Sequence, residues 1–117
     1  MMDSKVNRTH KNVVGFTLRE GKYVIAFNEY IYDDWRDFIA LEEIIRKLLK
    51  PDKDYGFGGF DDMHGTFIKD SIRVETWWGS FFDYFWEIDT DDEAVQKKVY
   101  DWAAAVYDEY LKSENKV

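Results

Sequence analysis

Between Val14 and Phe27 apolar side chains fall at every second position. Val14, Phe16 and Leu18 alternate with small or polar residues, and Tyr23, Ile25 and Phe27 do the same beyond Glu20-Gly21. A two-residue loop there pairs Leu18 with Tyr23, Phe16 with Ile25 and Val14 with Phe27, which predicts a hairpin with all six on one face. From Trp35 the period changes. Trp35, Phe38, Leu41, Ile45 and Leu48, widened by Ile39, Ile44 and Leu49, recur at three- and four-residue spacing and predict a helix with one buried face. Asp33 or Asp34 supplies its N-cap and Pro51 ends it near Lys50, while Glu42 and Glu43 stand at ion-pair spacing before Arg46 and Lys47.

The next stretch, PDKDYGFGGFDDMHG, has no period and is rich in glycine, so residues 51–65 are expected to form a long loop. A strand is expected near Thr66–Lys69, with Asp70-Ser71 as a bulge or turn after it. For the second hairpin, Ile72–Trp78 and Phe81–Ile88, a two-residue Gly79-Ser80 turn would scatter the apolar residues over both faces. An odd-length connection pairing Trp78 with Phe82 gathers Ile72, Val74, Thr76, Trp78, Phe82, Tyr84, Trp86 and Ile88 on one side. Arg73, Glu75, Trp77, Asp83, Phe85 and Glu87 then lie opposite. Because phenylalanine is poorly suited to the left-handed position of a three-residue loop, a bulge or longer connection is expected. A last helix follows, capped by Thr90 with Asp91, Asp92 and Glu93 in its first turn, and lined on one face by Val95, Val99, Trp102, Ala103, Val106 and Tyr110. Residues 1–11 lack periodicity and are expected to be frayed.

The order predicts one α+β domain over residues 1–117: an antiparallel sheet of two hairpins with a fifth strand, and two helices packed on one face. Aromatic residues make up 19% of the chain and hydrophobic residues 45%, enough for a core without staples. Cysteine is absent, which removes disulfides, thiolate nucleophiles and cysteine-bound zinc. With no apolar run long enough to span a bilayer, a cytoplasmic protein is expected. Net charge is −8, and residues 59–117 hold fourteen acids against six bases whereas residues 1–58 hold ten of each. Such a field disfavours nucleic acid and anionic membrane as partners and favours a basic one.

No catalytic set emerges. The two histidines, His10 and His64, stand in no recognised spacing with a serine or lysine. Asp61, Asp62 and His64 form a weak metal pattern without a fourth ligand, and the Tyr55–Phe60 run lacks the lysine and following helix of a phosphate cradle. Neither cofactor nor metal is expected, nor enzymatic activity. Trp77 and Phe85, beside Glu75, Asp83 and Glu87 and joined by the loop acids Asp61 and Asp62, have instead the composition of a partner-binding face.

The opening strand VVGFTL, the glycine-aromatic run DYGFGGFDDMHGTF and the aromatic hairpin ETWWGSFFDYFWEID leading into an amphipathic helix resemble, in style, the immunity proteins of bacterial polymorphic and contact-dependent toxin systems. The resemblance implies a stoichiometric inhibitor that neutralises a cognate toxin domain, such as a basic nuclease, by blocking its active site or substrate channel. It carries over no catalytic residue. The alternative is a small assembly or regulatory domain forming a homodimer through its sheet face; the expected protein is thus a monomer or a homodimer.

Overall fold

Strands β1 (Val6–His10), β2 (Val13–Thr17), β3 (Lys22–Phe27), β4 (Lys53–Gly58), β5 (Asp62–Lys69), β6 (Ile72–Gly79) and β7 (Phe82–Asp89) form one antiparallel sheet in the order β1-β2-β3-β7-β6-β5-β4. Helix α1 (Trp35–Leu49) joins β3 to β4, and α2 (Glu93–Ser113) follows β7. The structure is a computed structural model that describes residues 6–18, 21–27, 35–58, 62–79 and 82–113, without the side chains of Trp35, Phe57, Phe82, Asp83 and Ser113. The α+β class and antiparallel sheet are as expected, but the described residues contain seven strands rather than five.

The added strands come from two segments that the hydrophobic pattern left blank. Residues 51–65 are not one loop: β4 and β5 pair from Lys53↔Ile68 to Gly58↔Met63, with Gly56 opposite Gly65. Glycine is tolerated here because β4 is the terminal strand and because at Gly65 a Cβ would run into Glu42 of α1. The second segment, Val6–His10, is a strand rather than a frayed end, paired with β2 across an irregular register. Its polarity suits an edge. It is tied down by α2: the Tyr100 hydroxyl accepts hydrogen bonds from the backbone N–H groups of Thr9 and His10, at 3.1 and 3.0 Å, and donates to the Val13 carbonyl. Tyr100→Phe is expected to strand these groups at a cost of about 1–3 kcal/mol. Hydrogen exchange at Val6–His10 should speed up more than in β7, and uniform exchange would contradict the latch.

The first hairpin departs from its expected register. Gly15 pairs with Ile25 and Phe16 with Val24, so Val13, Gly15 and Thr17 face the helices and Val14, Phe16 and Leu18 face away. The turn explains the shift. The Leu18 N–H donates to the Lys22 carbonyl and the Gly21 N–H to the Leu18 carbonyl, which leaves three residues in the connection, not two. Gly21, at φ 86°, takes the left-handed position that such a turn demands. Glycine at 15 also matters, since a Cβ there would run into the Tyr23 hydroxyl.

In the second hairpin the two predicted faces hold while the pairing slides. Trp77 lies opposite Phe85 and Glu75 opposite Glu87, and the register shifts before Gly79 meets Phe82. A bulge thus replaces the expected Trp78–Phe82 pairing. Val74, Thr76, Trp78, Tyr84, Trp86 and Ile88 all reach the helix side. There they meet Phe38, Leu41 and Ile45 of α1 and Val99, Ala103 and Val106 of α2 in one core.

Many of that core's rings are tyrosines, each needing a polar partner. Tyr110 donates to Asp37 at 2.6 Å, tying α2 to α1, and the Tyr84 hydroxyl accepts from Trp86 Nε1 at 2.7 Å. The α1 stripe is narrower than its pattern implied: Phe38, Leu41, Ile44, Ile45 and Leu49 are buried, but Ile39 and Leu48 are exposed. Asp33 and Asp34 lie outside the described residues. Helix α2 is capped by Asp92, two residues beyond the expected Thr90; its carboxylate accepts from the Ala94 and Val95 N–H groups, while Thr90 supports the Asp92 N–H.

Candidate protein-binding face

Helices α1 and α2 cover one side of the sheet, so among the described residues those of opposite parity form a helix-free face. Strand pairing sets His64, Trp77, Phe85, Ala26 and Val14 in one row across β5, β6, β7, β3 and β2. The rings stack as they stand in register: His64 on Trp77 at 3.9 Å and 15°, and Trp77 near-parallel to Phe85 at 6.4 Å and 18°. Trp77 is held from both sides. Its indole N–H is shielded from water and has no hydrogen-bond partner, a cost of about 1–3 kcal/mol that the face bears.

The adjacent row begins with a carboxylate network. Glu75 Oε1 contacts His64 Nε2 at 2.6 Å and accepts from Thr66 Oγ1 at 2.8 Å, while Glu75 Oε2 accepts from Arg73 Nε at 2.6 Å. Partial burial alone would raise the Glu75 pKa, but the hydrogen bonds from Arg73, Thr66 and His64 together hold it below the ordinary carboxylate range. Glu75 therefore stays ionised and engaged. Directly opposite it, Glu87 is met by Lys22 at 3.5 Å, so neither member of this like-charged cross-strand pair stands without a cation. Thr66 donates to the same Glu75 oxygen that His64 contacts.

Towards β2 the face turns apolar. Phe16, Leu18, Val24, Ala26 and Phe85 line an open groove of about 470 Å³ with Glu87 at its rim. Sequence reasoning missed most of this half because the first hairpin's register placed Phe16 and Leu18 in the core. The clue was Gly21, whose left-handed capacity fits a three-residue connection as well as a two-residue one.

Of the seven residues singled out from the sequence, Glu75, Trp77, Phe85 and Glu87 share this face. Asp62 is exposed at the start of β5, opposite Gly79. Asp61 and the Asp83 side chain lie outside what the structure describes. Of the other acids of the second half, Asp89 shares this side of β7 with Phe85 and Glu87, whereas Asp91, Asp92 and Glu93 sit at the α2 N-terminus and Asp101, Asp108 and Glu109 are exposed along that helix. On the face itself Lys22 and Arg73 offset Glu87 and Glu75. Its distinguishing chemistry is aromatic and apolar, with the exposed carboxylates of Asp62 and Asp89 at the ends of β5 and β7.

On the helix side lies a titratable group that the sequence placed among surface ion pairs. Glu42 of α1 is buried, at 7% exposure, and accepts a 3.0 Å hydrogen bond from Thr76 Oγ1. Burial raises its pKa to about 7, against the lowering effects of Thr76 and Arg46. Among the described residues no three His, Asp or Glu side chains gather as a metal site, and no helix is long and apolar enough to cross a membrane. Compared with known proteins, the chain matches no family model, no curated protein and no solved structure.

Proposed function

We propose that the protein is a stoichiometric inhibitor that binds a cognate toxin domain through the helix-free face of its sheet. The observation that carries this reading is the preassembled row His64–Trp77–Phe85 beside the half-exposed apolar groove of Phe16, Leu18 and Val24. Rings already locked against one another lose little rotamer freedom on binding, and a multi-stranded sheet holds them rigidly, which are the properties of interface anchors. The charge of −8 adds long-range attraction for a basic partner and speeds encounter, while the rings and groove slow release.

The test is co-expression with the C-terminal domain of a large secreted protein encoded beside this chain's gene. The unaltered protein should restore growth, and Leu18→Arg or Phe85→Ala should abolish rescue by raising the dissociation rate roughly 30-fold or more. Lys97→Glu, on the far side of α2, should rescue fully. Rescue by all variants alike would remove the face from the contact. A stable dimer in sedimentation that Leu18→Arg dissolves would favour self-association through the same surface.

A further inference from the structure

We propose that Glu42 is a proton-operated clasp: protonated, it closes α1 over β4, β5 and β6, and its ionisation releases the β4–β5 hairpin from the helix. The clasp stands independently of the partner-binding reading, because it rests on the opposite side of the sheet. Its geometry is built by glycine. Gly56, Gly65 and Thr76 are cross-strand neighbours on β4, β5 and β6, and they make a floor on which the Glu42 carboxyl lies. A Cβ on Gly65 would come within 2.7 Å of Glu42 Oε1 and 2.6 Å of Thr76 Oγ1, so this strand position is kept bare for the carboxyl. At Gly56 the same oxygen would be 3.7 Å away, in ordinary contact.

The groups facing Glu42 do not provide for its charge. From β6 comes the Thr76 hydroxyl and from β7 the buried Tyr84, which is itself held protonated by its burial. Arg46, one turn along α1, favours the carboxylate from a distance but directs its Nε at 2.8 Å to Asp54 of β4, whose own charge opposes ionisation of Glu42, and burial outweighs both. A neutral carboxyl fits this setting; a carboxylate with one hydroxyl donor is under-solvated. The least costly way to hydrate it is at the sheet's end, where β4 pairs with β5 alone and Gly56 is exposed. On its reverse side β5 carries His64 and Thr66, which contact Trp77 and Glu75 of β6, so opening of the hairpin reaches the helix-free face.

Hydrogen exchange across pH tests the clasp. After correction for intrinsic exchange, protection of β4 and β5 amides should fall as pH rises from 4.5 to about 7, by at most roughly 300-fold, the ratio set by those two pKa values. Amides of β2 and β3 should hold their protection, and Glu42→Gln should remove the pH dependence from β4 and β5. Equal loss in the variant, or equal loss across β2 and β3, would overturn the proposal. Should the variant fail to fold, the side-chain carboxyl resonance of Glu42 in the unaltered protein decides. A midpoint near 7 supports the clasp and one near 4.5 refutes it.

Discussion

Trp86→Ala is expected to lower the free energy of unfolding by about 3–5 kcal/mol, a large part of the roughly 5–15 kcal/mol that holds a domain of this kind together. Trp86 has no exposed surface and lies between Phe27, at 5.6 Å, and Phe67, at 5.3 Å, where β3, β7 and β5 converge under the helices. Truncation leaves a ring-sized hole that close-packed neighbours fill only in part. It also removes the Nε1–H that serves the Tyr84 hydroxyl, itself fully buried, so a packing loss and a polar loss coincide. Trp77, one strand away and on the other face, provides the contrast. It keeps some surface in water, and Trp77→Ala should cost less than Trp86→Ala, by about 1 kcal/mol or more. Urea unfolding of both variants measures the difference. Equal losses would mean that the two faces of the β6–β7 hairpin have been wrongly assigned.

That assignment was legible in the chain because only one parity gathers Val74, Trp78, Tyr84, Trp86 and Ile88 together, and parity survives a shift of register by two residues. The bulge before Gly79 moved the pairing without moving a side chain to the other face. The first hairpin had no such safeguard. Both parities of β2 and β3 are apolar: Val14, Phe16, Val24 and Ala26 compete with Val13, Tyr23, Ile25 and Phe27, so turn length alone decided the register, and a one-residue error there exchanged core for surface. The glycine-rich stretch failed for a different reason. Strand propensity penalises glycine for lacking a side chain to pack, yet at Gly65 the absence of a side chain is what the Glu42 carboxyl of the helix above requires.

Glu42 was misread on the same grounds. Its spacing before Arg46 describes a surface pair equally well, and the helix period places it beside Leu41 and Ile45 without saying whether the covering layer extends over it. What covers it is β4 and β5, the hairpin that the pattern did not reveal. Half of the candidate face was therefore visible in the sequence and half depended on contacts made across strands. The consequence for function is a change of emphasis, from carboxylates that attract a partner to rings and aliphatic side chains that retain it, since the two glutamates of the face are already met by Arg73, His64 and Lys22.

Glu42→Gln is expected to make the protein more stable than the unaltered chain above neutral pH, with the order reduced or reversed in acid. The sign follows from the direction of the shift. Folding raises the Glu42 pKa from 4.5 to about 7, so the folded state holds a proton that the unfolded state has already released. The stability this lends is fully present below 4.5, is lost as pH rises towards 7, and is gone above it. At about 1.36 kcal/mol per pKa unit the variant should gain about 3 kcal/mol on the unaltered protein across that window, while other carboxylates, common to both, cancel. Parallel urea titrations from acid to alkaline pH read the difference directly. A pH-independent gap between the two proteins would show that Glu42 is hydrated in the native state. The local and global measurements constrain each other: if the β4–β5 hairpin opens for less than about 3 kcal/mol, ionised Glu42 escapes through that opening, and the gap saturates at the opening cost instead. Exchange rates in β4 and β5 then set the ceiling that the urea titrations must reach.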